Sequence, residues 1–194
     1  IEREIAELAP DIVGISSLFT PYYREALEVA ARVKKHSPAI VIVGGSHASA
    51  APESLLASPY VDYVIVGEGE KPFVELLLAL LNHTALGAVS NLAYRRAGEL
   101  VFNPVGENFP IDDLPPPDLS DFSPDAYRLG RKPMTFMITS RSCPHKCSFC
   151  SVHTTFGTNY RRRALANVLE EIELRYSQGY RVIDFEDDNL TYYK

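Results

Sequence analysis

The string Cys143-Pro-His-Lys-Cys147-Ser-Phe-Cys150 places the chain's only three cysteines within eight residues. Thiolates are the usual ligands of iron-sulfur clusters, and this spacing points to one. A four-iron cube held by three thiolates keeps one iron without a protein ligand. An open coordination position separates a reactive centre from a closed structural one, so such a cluster binds a substrate or cosubstrate directly. The alternative is zinc on the three thiolates with His145 or His153 as fourth ligand, although Cys-x3-Cys-x2-Cys departs from the paired Cys-x2-Cys and His-x3-5-His patterns of zinc modules. An odd cysteine count without a secretory segment argues against disulfides and for a reducing, cytoplasmic setting.

These thiols need elements to hold them. Met134 to Thr139 reads as a buried strand leading into the cysteine loop. Residues 164 to 178 read as a helix with Leu165, Val168, Leu169 and Ile172 on one face, ended by Gly179. Tyr180 to Phe185 is the next strand and runs into Glu186-Asp187-Asp188-Asn189. Strand, loop, helix, strand is the beginning of a βα barrel, in which reactive groups gather at the carboxyl ends of the strands.

Upstream, the apolar runs 11–16, 39–43 and 61–66 read as buried parallel strands. Ala26, Val29, Ala30 and Val33 form a helical stripe between the first two, and residues 70–81 read as a helix with Pro72 in its first turn. Alternation of strand and helix means an open parallel α/β sheet. Residues 93–102 read as a hairpin turning near Gly98. The proline-rich stretch 103–133, with Pro115-Pro116-Pro117, reads as a connector, which gives domains at 1–102 and 134–194. The chain starts at Ile1 within what reads as a helix over residues 1–9, with Ile1, Ile5 and Leu8 on one face, and so reads as a fragment.

Nineteen basic against twenty-five acidic residues, a formal charge of -6, give no attraction to nucleic acid or an anionic membrane. No apolar run approaches the roughly 20 residues needed to span a bilayer. Open α/β sheets bind ligands beyond the carboxyl ends of their strands. Here those ends are Ser16-Ser17-Leu18, Gly44-Gly45-Ser46-His47 and Gly67-Glu68-Gly69-Glu70. Glycines let a large ligand approach the backbone, and hydroxyls offer it donors. His47 reads as a polar turn residue, His83 as a solvated loop histidine, and Arg161 to Arg163 as a solvated basic face.

The cysteine spacing, with Phe149 just before the last cysteine, resembles the signature of the radical S-adenosylmethionine enzymes. That resemblance implies a [4Fe-4S] cluster on Cys143, Cys147 and Cys150. It also implies S-adenosylmethionine chelated at the open iron, a 5'-deoxyadenosyl radical, and a one-electron donor such as flavodoxin or ferredoxin. Phe149 is then expected beside the adenine. Asp187 and Asp188 are expected near the amino group, in a Glu-Asp-Asp-Asn variant of the family's Gly-Gly-Glu.

The three strand ends of the first region resemble, in order and position, the later half of the cobalamin-binding domain found in one branch of the family. By that resemblance Ser16, Leu18, Gly44 and Gly45 are cobalamin contacts, with Gly67 and Glu68 beside them. The Asp-x-His-x-x-Gly string that supplies a lower axial histidine in many such domains is absent from this chain. The expected fold is a partial Rossmann-like sheet linked to the start of a radical S-adenosylmethionine barrel. The expected chemistry on a small-molecule substrate is methyl transfer to an unactivated carbon, or a related rearrangement. A methylthiotransferase-like enzyme with a different first domain is the rival within the family, although residues 1–133 contain no cysteine for a second cluster. A non-catalytic zinc module is the rival outside it.

Overall fold

β-branched runs bounded by small residues form the central strands of the first of two units. A computed structural model describes residues 1–192 and divides into Ile1–Phe109 and Pro110–Lys194. In the first unit, α1 (Glu2–Leu8) precedes β1 (Ile12–Ser16), α2 (Tyr23–His36) and β2 (Ile40–Gly44). The short helices α3 (Ser46–Ala50) and α4 (Pro52–Leu56) lead to β3 (Tyr63–Ile65), α5 (Glu70–Leu81), β4 (Leu92–Arg96) and β5 (Glu99–Phe102). The five strands lie in the order β1-β2-β3-β4-β5. β1, β2 and β3 are parallel, with Ser16 opposite Gly44 and Val43 opposite Val64, and β4 and β5 run antiparallel.

Both faces of this sheet are covered, which explains why β2 reads as a continuous apolar run rather than an alternating one. Val41 and Val43 pack with Ala30, Val33, Leu55 and Leu56 on one face, while Ile42 packs with Leu76 and Ala79 on the other. The β4–β5 turn uses Ala97 and Gly98, both at positive φ (51° and 88°), as a two-residue type I′ hairpin requires. The first helix forms, but of its three expected apolar contacts only Ile5 is buried. Ile1 and Leu8 are exposed.

The second unit contains β6 (Arg128–Leu129), β7 (Lys132–Met137), β8 (Ser140–Arg141), α6 (Val152–Phe156), β9 (Arg161–Arg162), α7 (Leu165–Ser177) and β10 (Val182–Phe185). β7 and β10 are parallel across the α7 crossover, with Phe185 opposite Met137, and β6 pairs antiparallel with β7. β8 and β9 form a small antiparallel ladder from which residues 142–160 project.

Most of the stretch read as a connector lies inside this second unit. Arg175, 1% exposed, donates from Nη2 to the Pro117 carbonyl (2.8 Å). The Asp112 carboxylate accepts from the Ala164 amide (2.7 Å) and the Asn167 amide group (3.0 Å). Asp112 thereby caps α7, whose own N-cap residue, Ala164, supplies no side-chain acceptor. Arg163 differs from the solvated basic face expected of it. It forms a buried ion pair with Glu171 (Nη1 to Oε2, 2.5 Å), which also accepts from Arg175 (2.9 Å). The removal of these three side chains from water is offset by mutual pairing and by bonds to the Ile138 and Pro117 carbonyls. Among the described residues no helix is long and apolar enough to cross a membrane.

Candidate functional site

The carboxyl edge of β1 to β3 is set by backbone geometry. Gly45 has φ 104°, ψ -176°, a region open essentially to glycine alone. A Cβ there would stand 2.7 Å from the Ser17 carbonyl oxygen. The close approach lets Ser17 donate its amide to the Gly44 carbonyl (2.8 Å) and accept from the His47 amide (3.0 Å). Gly44 has open space where a Cβ would stand. Ser16 and Leu18 are exposed at this edge, and Ser17 is buried with its hydroxyl unpaired. The Ser49 hydroxyl donates to the Gly45 carbonyl (2.9 Å) and accepts from the Gly67 amide (2.8 Å), tying the end of β2 to that of β3. Gly67 has φ 79°, and Glu68 is buried. Asn91, itself at φ 57°, donates to the Val66 carbonyl (2.7 Å) and accepts from the Gly106 amide (2.7 Å). The open face over Gly44, the exposed hydroxyl of Ser16 and the buried unpaired hydroxyl of Ser17 fit a large ligand with polar groups along its length.

His47, read as a polar turn residue, lies in α3 and is 3% exposed. Its Nδ1 lies 3.1 Å from the Thr20 hydroxyl and its Nε2 3.0 Å from the Ser54 hydroxyl. Ser54 spends its own proton on the Ala51 carbonyl (2.7 Å), so it accepts from His47 Nε2–H, and Thr20 donates to Nδ1. Burial holds the imidazole below its ordinary pKa, in keeping with this neutral tautomer. Thr20 stands 27 residues from His47, so no local pattern announces the contact.

The cysteine loop is organised from its base. The fully buried Ser142 holds φ 73°, donates its amide to Asp188 Oδ2 (2.9 Å) and its hydroxyl to the Gly157 carbonyl (2.7 Å). That closes residues 142–157 into one loop. His153 donates from Nε2 to the Cys143 carbonyl (3.1 Å), and Arg141 lies over the Phe156 ring (5.7 Å). Asp187 accepts from the Thr139 amide (3.1 Å) and hydroxyl (2.9 Å), and from the Ser140 hydroxyl. Asn189 Nδ2 lies 3.4 Å from Cys143 Sγ. Three successive residues after β10 thus grip residues 139 to 143. Burial pushes the Asp188 carboxyl above the usual aspartate range, with Asp187 adding to the effect and the Ser142 amide and Arg141 opposing it.

All three thiols are free. Cys147 is exposed and Cys143 and Cys150 are partly so, and the Cys150 amide donates to the Cys147 carbonyl (3.1 Å). Among the described residues no three His, Cys, Asp or Glu side chains converge at metal-ligating range, the three thiols included. His145 meets the Tyr192 ring edge-on at 5.9 Å. The donor set, three unmodified thiols on one loop with a closed base, fits an iron-sulfur cluster in its chemistry. Phe149 is 90% exposed on that loop.

Residues expected at the two sites therefore fall into two local groups. Ser16, Leu18, Gly44, Gly45, Gly67 and Glu68 lie at strand ends of the first unit. Cys143, Cys147, Cys150 and Phe149 lie on the loop whose base Asp187 and Asp188 hold. Ser49, Asn91, Ser142 and Asn189 escaped the sequence reading because their partners are distant in the chain.

Residues 1–77 match the B12 binding domain. An uncharacterized methyltransferase of Pyrococcus horikoshii is 34% identical over 98% of the chain and 42% of its own length. The cobalamin-dependent radical SAM methyltransferase TokK of Streptomyces tokunonensis is 31% identical over 88% of the chain and 26% of its own length. Among solved structures, the radical S-adenosylmethionine methyltransferase TsrM of Kitasatospora setae, with cobalamin and a [4Fe-4S] cluster bound, superposes with a TM-score of 0.76. That match is 23% identical and covers 98% of the chain and 40% of TsrM. The chain spans less than half the length of these relatives. With a B12 binding domain leading into a radical-type cysteine loop, the chain belongs to the B12-binding-domain-containing radical S-adenosylmethionine proteins.

Proposed function

We propose that the protein is a cobalamin-dependent radical S-adenosylmethionine enzyme that transfers a methyl group to an unactivated carbon of a small molecule. The observation that carries this reading is a loop of three free thiols, its base clamped by Asp187, Asp188 and Ser142, in the same chain as a B12 binding domain. When bound, the cluster, S-adenosylmethionine and the corrinoid supply radical formation and the methyl group, the hard chemistry being the cofactors' own.

The chain's residues hold and orient. Cys143, Cys147 and Cys150 ligate three irons. Phe149, exposed on the loop, packs on the adenine of S-adenosylmethionine. The carboxylates of Asp187 and Asp188 set the base of the loop and place negative charge near a cationic cosubstrate. Ser16, Leu18, Gly44 and Gly45, with Gly67 and Glu68, cradle the corrinoid's tail. A ferredoxin- or flavodoxin-class donor in a reducing compartment supplies the electron.

Anaerobic reconstitution with iron, sulfide and cobalamin tests this. The expected result is near-stoichiometric cluster uptake with a broad visible band that changes on adding S-adenosylmethionine, and a corrinoid retained through purification. Stoichiometric zinc with no response to S-adenosylmethionine would overturn the cluster assignment, and a protein that never holds a corrinoid would overturn the first-unit assignment.

A further inference from the structure

Asp187, Asp188 and Asn189, just beyond β10, do different work at the base of the cysteine loop. Asp187 and Asp188 hold backbone and hydroxyl groups that precede the first cysteine. Asn189 reaches the sulfur itself, with Nδ2 at 3.4 Å from Cys143 Sγ, a separation suited to the larger radius of sulfur. Its backbone carbonyl accepts from both the Tyr160 hydroxyl (3.3 Å) and the Tyr192 amide (3.3 Å). The Tyr160 and Tyr192 rings also meet at 5.0 Å, tilted by 56°, beside that turn. Among the described residues Cys143 alone of the three thiols receives a side-chain hydrogen bond.

We propose that Asn189 is a positioning residue for the cluster: its amide donates a hydrogen bond to the Cys143 sulfur, aims that thiolate at its iron and raises the cluster's reduction potential. The inference rests on the cluster reading above. A donor on a ligating sulfur withdraws electron density from the iron-sulfur bond. The extra negative charge of the reduced cluster is then stabilised more than that of the oxidised one, and hydrogen bonds to sulfur are an established determinant of potential.

The test compares the anaerobically reconstituted protein with Asn189→Leu, which fills similar space without a donor, and Asn189→Gln, which keeps an amide. Iron and sulfide content, the midpoint potential from an EPR-monitored redox titration and the Fe–S stretching bands in resonance Raman are read on each. Asn189→Leu should keep its iron, show a more negative midpoint potential and shift an Fe–S(Cys) band upward, while Asn189→Gln should stay close to the parent protein. A parent potential and parent Raman bands in Asn189→Leu would overturn the inference. Should Asn189→Leu lose iron, Asn189→Ala is read in its place: a lowered potential supports the hydrogen bond, and a parent potential overturns it. A parent protein that takes up no cluster defeats the proposed function instead, so the two failures are distinct.

Discussion

Gly45 and Gly157 occupy the same corner of backbone space, at φ 104°, ψ -176° and φ 68°, ψ -161°, yet they belong to differently built regions. Around Gly45 the main chain packs so closely that a Cβ would strike the Ser17 carbonyl, and Gly157 has nothing within 4 Å of its missing Cβ. The strand-end edge of the first unit is shaped by backbone contact. The base of the cysteine loop is held by side chains, chiefly two carboxylates, a hydroxyl and an amide reaching across from β10 and Ser142. The first region resists change through sterics and the second through hydrogen bonds to charged groups. Substitution and pH should therefore separate them.

The largest effect is expected from Gly45→Ala, where the backbone penalty of about 1–3 kcal/mol is joined by a steric clash. Corrinoid retention should be lost, and urea unfolding followed by circular dichroism should show the first unit destabilised by at least that range. Next comes Asp187→Ala, which strips acceptors from Thr139 and Ser140 and should cost about 2–3 kcal/mol, given the strength of hydrogen bonds to charged groups. Iron content after reconstitution should fall several-fold while corrinoid binding stays intact. If Asp187→Ala also abolished corrinoid binding, the contrast between the regions would break. Gly157→Ala should be milder than Gly45→Ala, about 1–2 kcal/mol from backbone strain alone, read as a smaller drop in the urea midpoint.

The smallest effects are in pH, and they carry opposite signs. The lowered pKa of His47 means that the unfolded chain binds more protons near pH 6. The first unit should therefore gain stability as pH rises from that lowered pKa to about 6.5, and His47→Gln should flatten the slope. The raised pKa of Asp188 means that the folded state binds more protons, so the second unit should lose stability as pH rises above about 4 toward the raised value. Asp188→Asn, which retains an acceptor for Ser142, should remove that fall. Hydrogen exchange resolved by segment would report the two slopes separately.

Period and punctuation made the scaffold legible. The run over residues 70–81 is a helix with those limits, Gly98 does turn the hairpin, and Gly179 follows the last helix at φ 102°. Gly45 was also readable, because its positive φ of 104° and the Ser17 carbonyl beside it admit no side chain. What sequence concealed is non-local. His47, Arg163, Asn91 and Asn189 each look like ordinary polar positions until the fold brings up a partner far along the chain, the Ile138 carbonyl in the case of Arg163. The Ile1 and Leu8 face misled for the converse reason, since helical spacing records an amphipathic pattern but not whether anything covers it.

The Arg175 contact with Pro117 bears on how the chain can be cut. An excised helix keeps its stability only if its buried donors keep their acceptors, and here the acceptors of α7 lie upstream of residue 134, at Asp112 and Pro117. A chain trimmed to begin at residue 134 would strand a buried guanidinium group and uncap the helix. Proteases should accordingly be slow within residues 110–133, despite a composition that reads as slack, and a soluble excised second unit should have to begin near Pro110.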